Sequence, residues 1–176
     1  MNQIDKFFTE DIEQFSKSYF DYLTEVFDKI DLTEINKFVE LLLEARESGA
    51  TIFFMGNGGS AATASHFAND LAFGTNDYKK PFKVMSITDN VSVLTALGND
   101  YGYNEIFIRQ LKIYGEKGDV VVGISASGNS QNVINAFEYA STAGIKTFAL
   151  TAFDGGKMRK IADQGLHIPT DKKEYG

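Results

Sequence analysis

The chain has 176 residues, 43% of them hydrophobic and 23% charged, the balance of a soluble globular protein able to build its own core. A formal net charge of −7 and a pI of about 4.8 argue against a nucleic-acid surface, which needs a basic stripe. Cysteine is absent, which excludes disulfides, thiolate metal sites and cysteine nucleophiles.

The opening Met1-Asn2-Gln3-Ile4-Asp5-Lys6 is not a signal peptide, and no apolar run is long enough to cross a membrane, so the cytoplasm is the expected compartment. Residues 3–30 are predicted as one long helix. Phe8, Ile12, Phe15, Tyr19, Tyr22 or Leu23, and Val26 recur alternately four and three apart. Phe7, Phe20 and Phe27 widen that seam, which is expected to dock partly on its own domain and partly on another subunit. Asp31-Leu32-Thr33-Glu34 has the form of a capping box. A second helix follows to about Glu47, with Ile35, Phe38, Val39, Leu42 and Leu43 inward and Gly49 as its left-handed terminator.

The period then changes. Thr51–Met55, Phe82–Ile87, Val120–Ile124, Lys146–Leu150 and, weakly, Leu166–Ile168 are short apolar runs, as in strands buried on both faces. Helical stretches are predicted at about 60–73, 90–97, 103–115, 129–143 and 156–163. Strands alternating with helices imply an α/β three-layer sandwich with a parallel sheet and right-handed crossovers. Only 2 prolines and no low-complexity tract appear, so residues 1–176 are expected to form a single domain with 1–49 as a helical extension.

Two turns carry the chemistry. Gly56-Asn57-Gly58-Gly59-Ser60 and Ser125-Ala126-Ser127-Gly128-Asn129-Ser130 each follow a strand and open a helix. Glycine lets the backbone approach a ligand, and serine hydroxyls beside the free N–H groups of a helix start hold phosphate without lysine. A single serine at 130 would suffice as a helix cap; three with a glycine point to a small phosphorylated ligand. His66 and Asp70 lie four apart on one helix face, a spacing that suits metal ligation, an acid–base pair or a plain helical contact. Asn99 and Asp100, in a polar turn at 98–103, are candidates for sugar hydroxyls or for turn and cap formation. Asp154-Gly155-Gly156 is read as a turn and cap bordering the site, and His167 as a structural histidine. Gly56, Gly58 and Ala61 also fit the dinucleotide pattern G-x-G-x-x-A, with Asp89 as a ribose ligand, but that leaves the serine turn unexplained.

GNGGSAATASHF (56–67), LTALGNDYGY (94–103), GDVVVGISASGNSQNV (118–133) and LTAFDGGKM (150–158) together resemble the sugar isomerase (SIS) domain, and more narrowly the phosphoheptose isomerases. The resemblance implies a five-stranded parallel sheet of flavodoxin-like kind and a homotetramer with sites between subunits. It implies conversion of sedoheptulose 7-phosphate to D-glycero-D-manno-heptose 7-phosphate, the entry to heptose synthesis. Carried over by motif, Asn57, Gly58, Gly59, Ser60, Asn99 and Asp100 contact substrate, and Ser125, Ala126, Ser127 and Ser130 bind phosphate or sugar. His66 and Asp70 fall on the family's first zinc ligands, and Asp70 on its base, where the family usually has Glu. The carboxylate of Asp reaches about 1.5 Å less, and near-attack geometry is intolerant of ~1 Å errors. The family also continues into a C-terminal helix with a Gln and a His; this sequence ends at Glu174-Tyr175-Gly176 without it, so either a piece of a longer protein or a member lacking that part of the site is expected. Weak zinc binding is the corresponding expectation. The mechanism expected is an enediol isomerisation with Asp70 as base and a metal at His66 and Asp70 polarising the oxygens. The alternative is a non-catalytic sugar-phosphate-binding or protein-interaction SIS module, like the relatives that regulate replication initiation.

Overall fold

Five apolar runs become the strands of one parallel sheet in a computed structural model that describes residues 3–170. They are β1 (Thr51–Gly56), β2 (Lys83–Ser86), β3 (Val120–Ser125), β4 (Lys146–Ala152) and β5 (Gln164–Ile168). Their order is β2-β1-β3-β4-β5, every neighbouring pair parallel. The winding reverses between β1 and β3, so a crevice opens beyond the carboxyl ends of those two strands. Register sets Gly56 against Ile124, which brings the two glycine turns side by side.

Among the described residues eight helices cover the sheet or extend it: α1 (Gln3–Phe7), α2 (Ile12–Phe27), α3 (Leu32–Ser48), α4 (Gly59–Asn69), α5 (Val91–Tyr101), α6 (Ile108–Tyr114), α7 (Gln131–Ala143) and α8 (Gly156–Ile161). Alternation along the strands makes two cores. Ile52, Phe54, Val120, Val122 and Phe148 pack against Phe38, Leu41, Leu42 and Ala45 of α3 and Ala64 of α4. Phe53, Met55, Val121 and Ala149 face the opposite way, onto Phe107, Leu111, Val133, Phe137 and Met158. Each fully buried aliphatic or Phe side chain contributes about 1.5–3 kcal/mol. At Gly123 a Cβ would stand 2.7 Å from the Phe137 ring, so α7 lies directly on β3 and any side chain there would push it off.

The long helix expected over 3–30 is interrupted at 8–11. Asp11 caps α2 by accepting from the N–H groups of Glu13 (3.0 Å) and Gln14 (3.1 Å), and α1 folds back so that Phe7 meets Phe15 and Tyr22. The heptad-like spacing hid this start signal, Asp11-Ile12-Glu13-Gln14, inside an apolar pattern. Asp31 and Gly49 cap α3 as expected, Gly49 at φ 73, but the capping box does not form: Asp31 accepts from Thr33 N–H, and Glu34 Oε2 is taken by the His167 N–H. The inward face of α3 is different: Leu41 and Ala45 join Phe38 and Leu42, while Ile35 (38%), Val39 (47%) and Leu43 (45%) are exposed. On α2, Val26 is buried, but Ile12, Phe20 and Phe27 face outward.

Three other boundaries shift. The stretch at 60–73 is α4 followed by a wide π turn, Asp70–Gly74. The polar turn placed at 98–103 is the last helical turn of α5, and the helix expected from 103 begins as a 3-10 turn, Tyr103–Glu105, before α6. The expectation of a missing C-terminal helix concerns residues beyond 170, outside the described residues.

Candidate functional site

β1 delivers the chain into the first turn at Gly56, where a Cβ would sit 2.7 Å from Ser60. Gly58 then takes φ 55, ψ −123, a conformation open in practice to glycine alone, and starts α4 with no side-chain cap. The Asn57 carboxamide, between them, forms a reciprocal pair with Asn132 at the start of α7: each Nδ2 donates to the other's Oδ1 at 2.9 Å. The Tyr103 hydroxyl donates to Asn57 Oδ1 at 2.8 Å. Gly56, Asn57 and Gly58 line a hollow of about 460 Å³ with Thr88, Gly98 and Tyr103.

β3 delivers the second turn. Ser125 Oγ lies 3.0 Å from Ser130 Oγ and 3.5 Å from Ser127 Oγ, a cluster of hydroxyls at the start of α7. Ser130 occupies the cap position of α7, yet its side chain makes no bond to the helix N–H groups. The helix therefore keeps its positive end for a ligand. Asp154-Gly155-Gly156 braces this turn from behind. Met158 N–H donates to Gly128 O at 2.9 Å, Lys157 N–H to Asn129 Oδ1 at 3.1 Å, and Ala152 N–H to Ala126 O at 2.9 Å. Phe153, beside that brace, is held at φ 57, an unusual conformation for an aromatic residue.

His66 and Asp70 do stand together: His66 Nε2 is 2.9 Å from Asp70 Oδ2, with 76% and 59% of their side chains exposed. They line a separate hollow of about 430 Å³ with Ala62, Thr63 and Phe67. Ser60 and Ala126 open onto a third, of about 490 Å³, where Phe67, Thr151 and Leu166 form part of the wall. The Asn57 hollow shares no lining residue with the other two, which share Phe67. Asn99 and Asp100 sit exposed on the last turn of α5, bonded to each other at 2.8 Å, and do not line the Asn57 hollow.

His167 is held in place by neighbours. Its Nδ1 is 3.1 Å from Thr151 Oγ1, and its backbone N–H donates to Glu34 Oε2 at 2.8 Å. Burial, and then the Arg159 charge, hold its imidazole below the ordinary value of 6.5, with Glu34, the Phe153 backbone and Asp154 acting the other way. Asp89, the ribose ligand of the dinucleotide alternative, is engaged with hydroxyls: Ser65, Ser86 (3.0 Å) and Thr88 (3.2 Å) all donate to Oδ1.

The sequence reading missed Asn132 and gave Tyr103 no role. The available signal was thin, an Asn at the second helical position of α7 set beside apolar Val133 and Ile134.

The chain is similar to known proteins over most of its length. Residues 15–152 match the family pattern of the SIS domain. A phosphoheptose isomerase of Helicobacter pylori (strain Shi470) is 46% identical over 133 residues, 76% of this chain and 69% of the relative. Among solved structures, a phosphoheptose isomerase from Neisseria gonorrhoeae superposes with a TM-score of 0.79 at 35% identity, covering 89% of this chain and 87% of that one. Another, from Francisella tularensis, superposes with a TM-score of 0.81 at 28% identity, covering 98% of this chain and 88% of that one.

Proposed function

Since the chain belongs to the SIS domain family and, within it, to the phosphoheptose isomerases, we propose how its own residues carry the reaction of that group. It is a sugar-phosphate isomerase, converting sedoheptulose 7-phosphate to a heptose 7-phosphate in heptose biosynthesis. The observation that carries the residue assignment is the cluster of Ser125, Ser127 and Ser130 at the uncapped start of α7, beside the Asn57 turn.

In this reading the hydroxyls of Ser125, Ser127 and Ser130 and the N–H groups at the start of α7 hold the phosphate. Asn57, Gly58, Gly59, Ser60 and Ala126 border the sugar; Asn99 and Asp100, on the last turn of α5 outside the Asn57 hollow, are proposed only as outer contacts of a sugar that extends beyond it. Asp70 is the base. It takes a proton from C1 while the C2 oxygen gains one from solvent, which forms the enediol. It then returns its proton to C2 as the C1 hydroxyl gives its own up to solvent, leaving the aldose, D-glycero-D-manno-heptose 7-phosphate. His66 donates to Asp70 Oδ2 and fixes the carboxylate's orientation. A positioned base of this kind contributes about 10²–10⁴-fold.

Zinc is part of the proposal only as far as the donor set allows. His66 and Asp70 offer two donor side chains, and among the described residues no group of three or more His, Cys, Asp and Glu could hold a metal. Catalytic zinc takes three protein ligands, so these residues alone do not fit it, and no step above passes through a metal. A homotetramer is likewise proposed, supported by the outward Phe20 and Phe27 of α2 and the exposed Ile35, Val39 and Leu43 of α3. No helix among the described residues is long and apolar enough to cross a membrane. We propose the cytoplasm as the compartment, in keeping with a charged substrate that does not cross bilayers.

The test follows sedoheptulose 7-phosphate by NMR in the presence of the protein, with and without added zinc. Growth of the aldose signals is expected. No aldose under either condition overturns the reading.

A further inference from the structure

The Asn57–Asn132 pair has a defined sense. Val133 N–H is shared between Ser130 O (3.1 Å) and the Asn132 side-chain oxygen position (3.0 Å), and a backbone N–H can only donate, so an amide NH₂ at that position would set donor against donor. The Asn132 atom facing it is therefore the oxygen, which sends the Asn132 Nδ2 to Asn57 and fixes the Asn57 oxygen toward it. Asn57 Oδ1 then accepts from both Asn132 Nδ2 (2.9 Å) and Tyr103 Oη (2.8 Å), which uses both of its lone pairs. Asn57 Nδ2 spends one hydrogen on Asn132 Oδ1. One N–H remains, on a side chain that lines the 460 Å³ hollow. Asn132 itself is only 2% exposed, so water does not compete for the pair from its side.

We propose that Asn132 and Tyr103 are positioning residues that lock Asn57 as a pure hydrogen-bond donor toward an acceptor oxygen of the bound sugar phosphate. The lock also ties the first glycine turn to the start of α7, two residues beyond Ser130, so the two ligand-holding turns keep one spacing. An unlocked Asn57 could rotate and offer its oxygen to a substrate hydroxyl instead. The locked one accepts nothing from the ligand, and a hydroxyl that only donates gains nothing there. This inference rests on the isomerase reading for the identity of the ligand and on the hydrogen-bond geometry for the lock.

The experiment is a double-mutant cycle on turnover of sedoheptulose 7-phosphate. Tyr103→Phe and Asn132→Asp each remove one donor to Asn57 Oδ1. Each is expected to raise KM about three- to tenfold, the span of one ordinary hydrogen bond, with kcat within about twofold. In an Asn57→Ala background the same changes are expected to leave KM where Asn57→Ala alone puts it, because what they position is gone. A purely structural role would act equally in both backgrounds, so persistence of the full effect in the Asn57→Ala protein overturns the proposal. So does an unchanged KM in Tyr103→Phe, an exposed variant that keeps the ring should Asn132→Asp fail to fold. If the wild-type protein does not turn over the substrate, the isomerase reading falls separately. The lock is then decided by the Asn57 carboxamide signals in a ¹⁵N–¹H spectrum of the free protein. They shift in Tyr103→Phe if the lock exists, and an unshifted pair overturns it.

Discussion

The Ser130 hydroxyl lies 3.0 Å from that of Ser125 and makes no cap bond to the N–H groups of α7, although Ser130 occupies the cap position. A capping serine replaced by alanine costs about 1 kcal/mol, which in a chain of this size lowers Tm by about 2–4 °C. Ser130→Ala is expected to lower Tm by less than that while raising KM for the sugar phosphate about tenfold. Calorimetry and steady-state kinetics on the same preparation check both halves.

Gly128 has no room for a side chain. A Cβ there would stand 1.9 Å from the Gly155 carbonyl oxygen, and the residue already sits at φ 61. Gly128→Ala must therefore move the serine turn away from its brace, at a cost of about 2–4 kcal/mol. Denaturant unfolding measures the loss, and phosphate-dependent NMR shifts at Ser125 to Ser130 are expected to vanish even where the protein remains folded.

Asp70 separates chemistry from binding. Its side chain is 59% exposed and its partner is His66, so Asp70→Asn removes a base without opening a cavity. Turnover is expected to fall by about 10²–10⁴-fold, the contribution of a positioned general base. The phosphate-dependent shifts at the serine turn should survive. Undiminished turnover would assign the base elsewhere.

His167 predicts a pH slope. Its folded-state value is held below 6.5, first by burial and then by Arg159, so below about pH 6.5 the unfolded chain binds the proton more readily than the folded one. The contribution of His167 to stability is complete above that value and is lost as pH falls through the folded-state value. Thermal melts between about pH 7.5 and 5.5 should show a steeper decline for the wild type than for His167→Gln. Parallel curves would show that His167 carries no such linkage.

The outward aromatic face of α2 supplies the last prediction. Phe20 and Phe27 are 64% and 62% exposed in the isolated chain. Burying such side chains against another copy gains about 1.5–3 kcal/mol each. Phe20→Asp with Phe27→Asp is expected to shift the species seen by sedimentation equilibrium from a tetramer toward the 19.5 kDa monomer. A wild-type protein that is already a monomer would remove the tetramer from the proposal.

Much of this protein was legible in the chain itself. A strand buried on both faces must be apolar at every position, so Thr51–Met55 and Val120–Ile124 declared themselves locally, and Asp31 and Gly49 marked the ends of α3 through bonds to their near neighbours. The two glycine- and serine-rich turns did the same, because a backbone at φ 55 or a Cβ-free approach leaves its mark in residue type. What the sequence could not determine depends on which segments meet. Asn57 finds Asn132 75 positions away only because β1 and β3 are neighbours in the sheet, and the Ser130 hydroxyl turns to Ser125 instead of capping the helix that Ser130 begins. Likewise Ile35, Val39 and Leu43 share the apolar periodicity of α3 with Phe38 and Leu42, but the sheet is reached by only one side of the helix. Periodicity reports that a face is apolar; only tertiary packing decides what covers it.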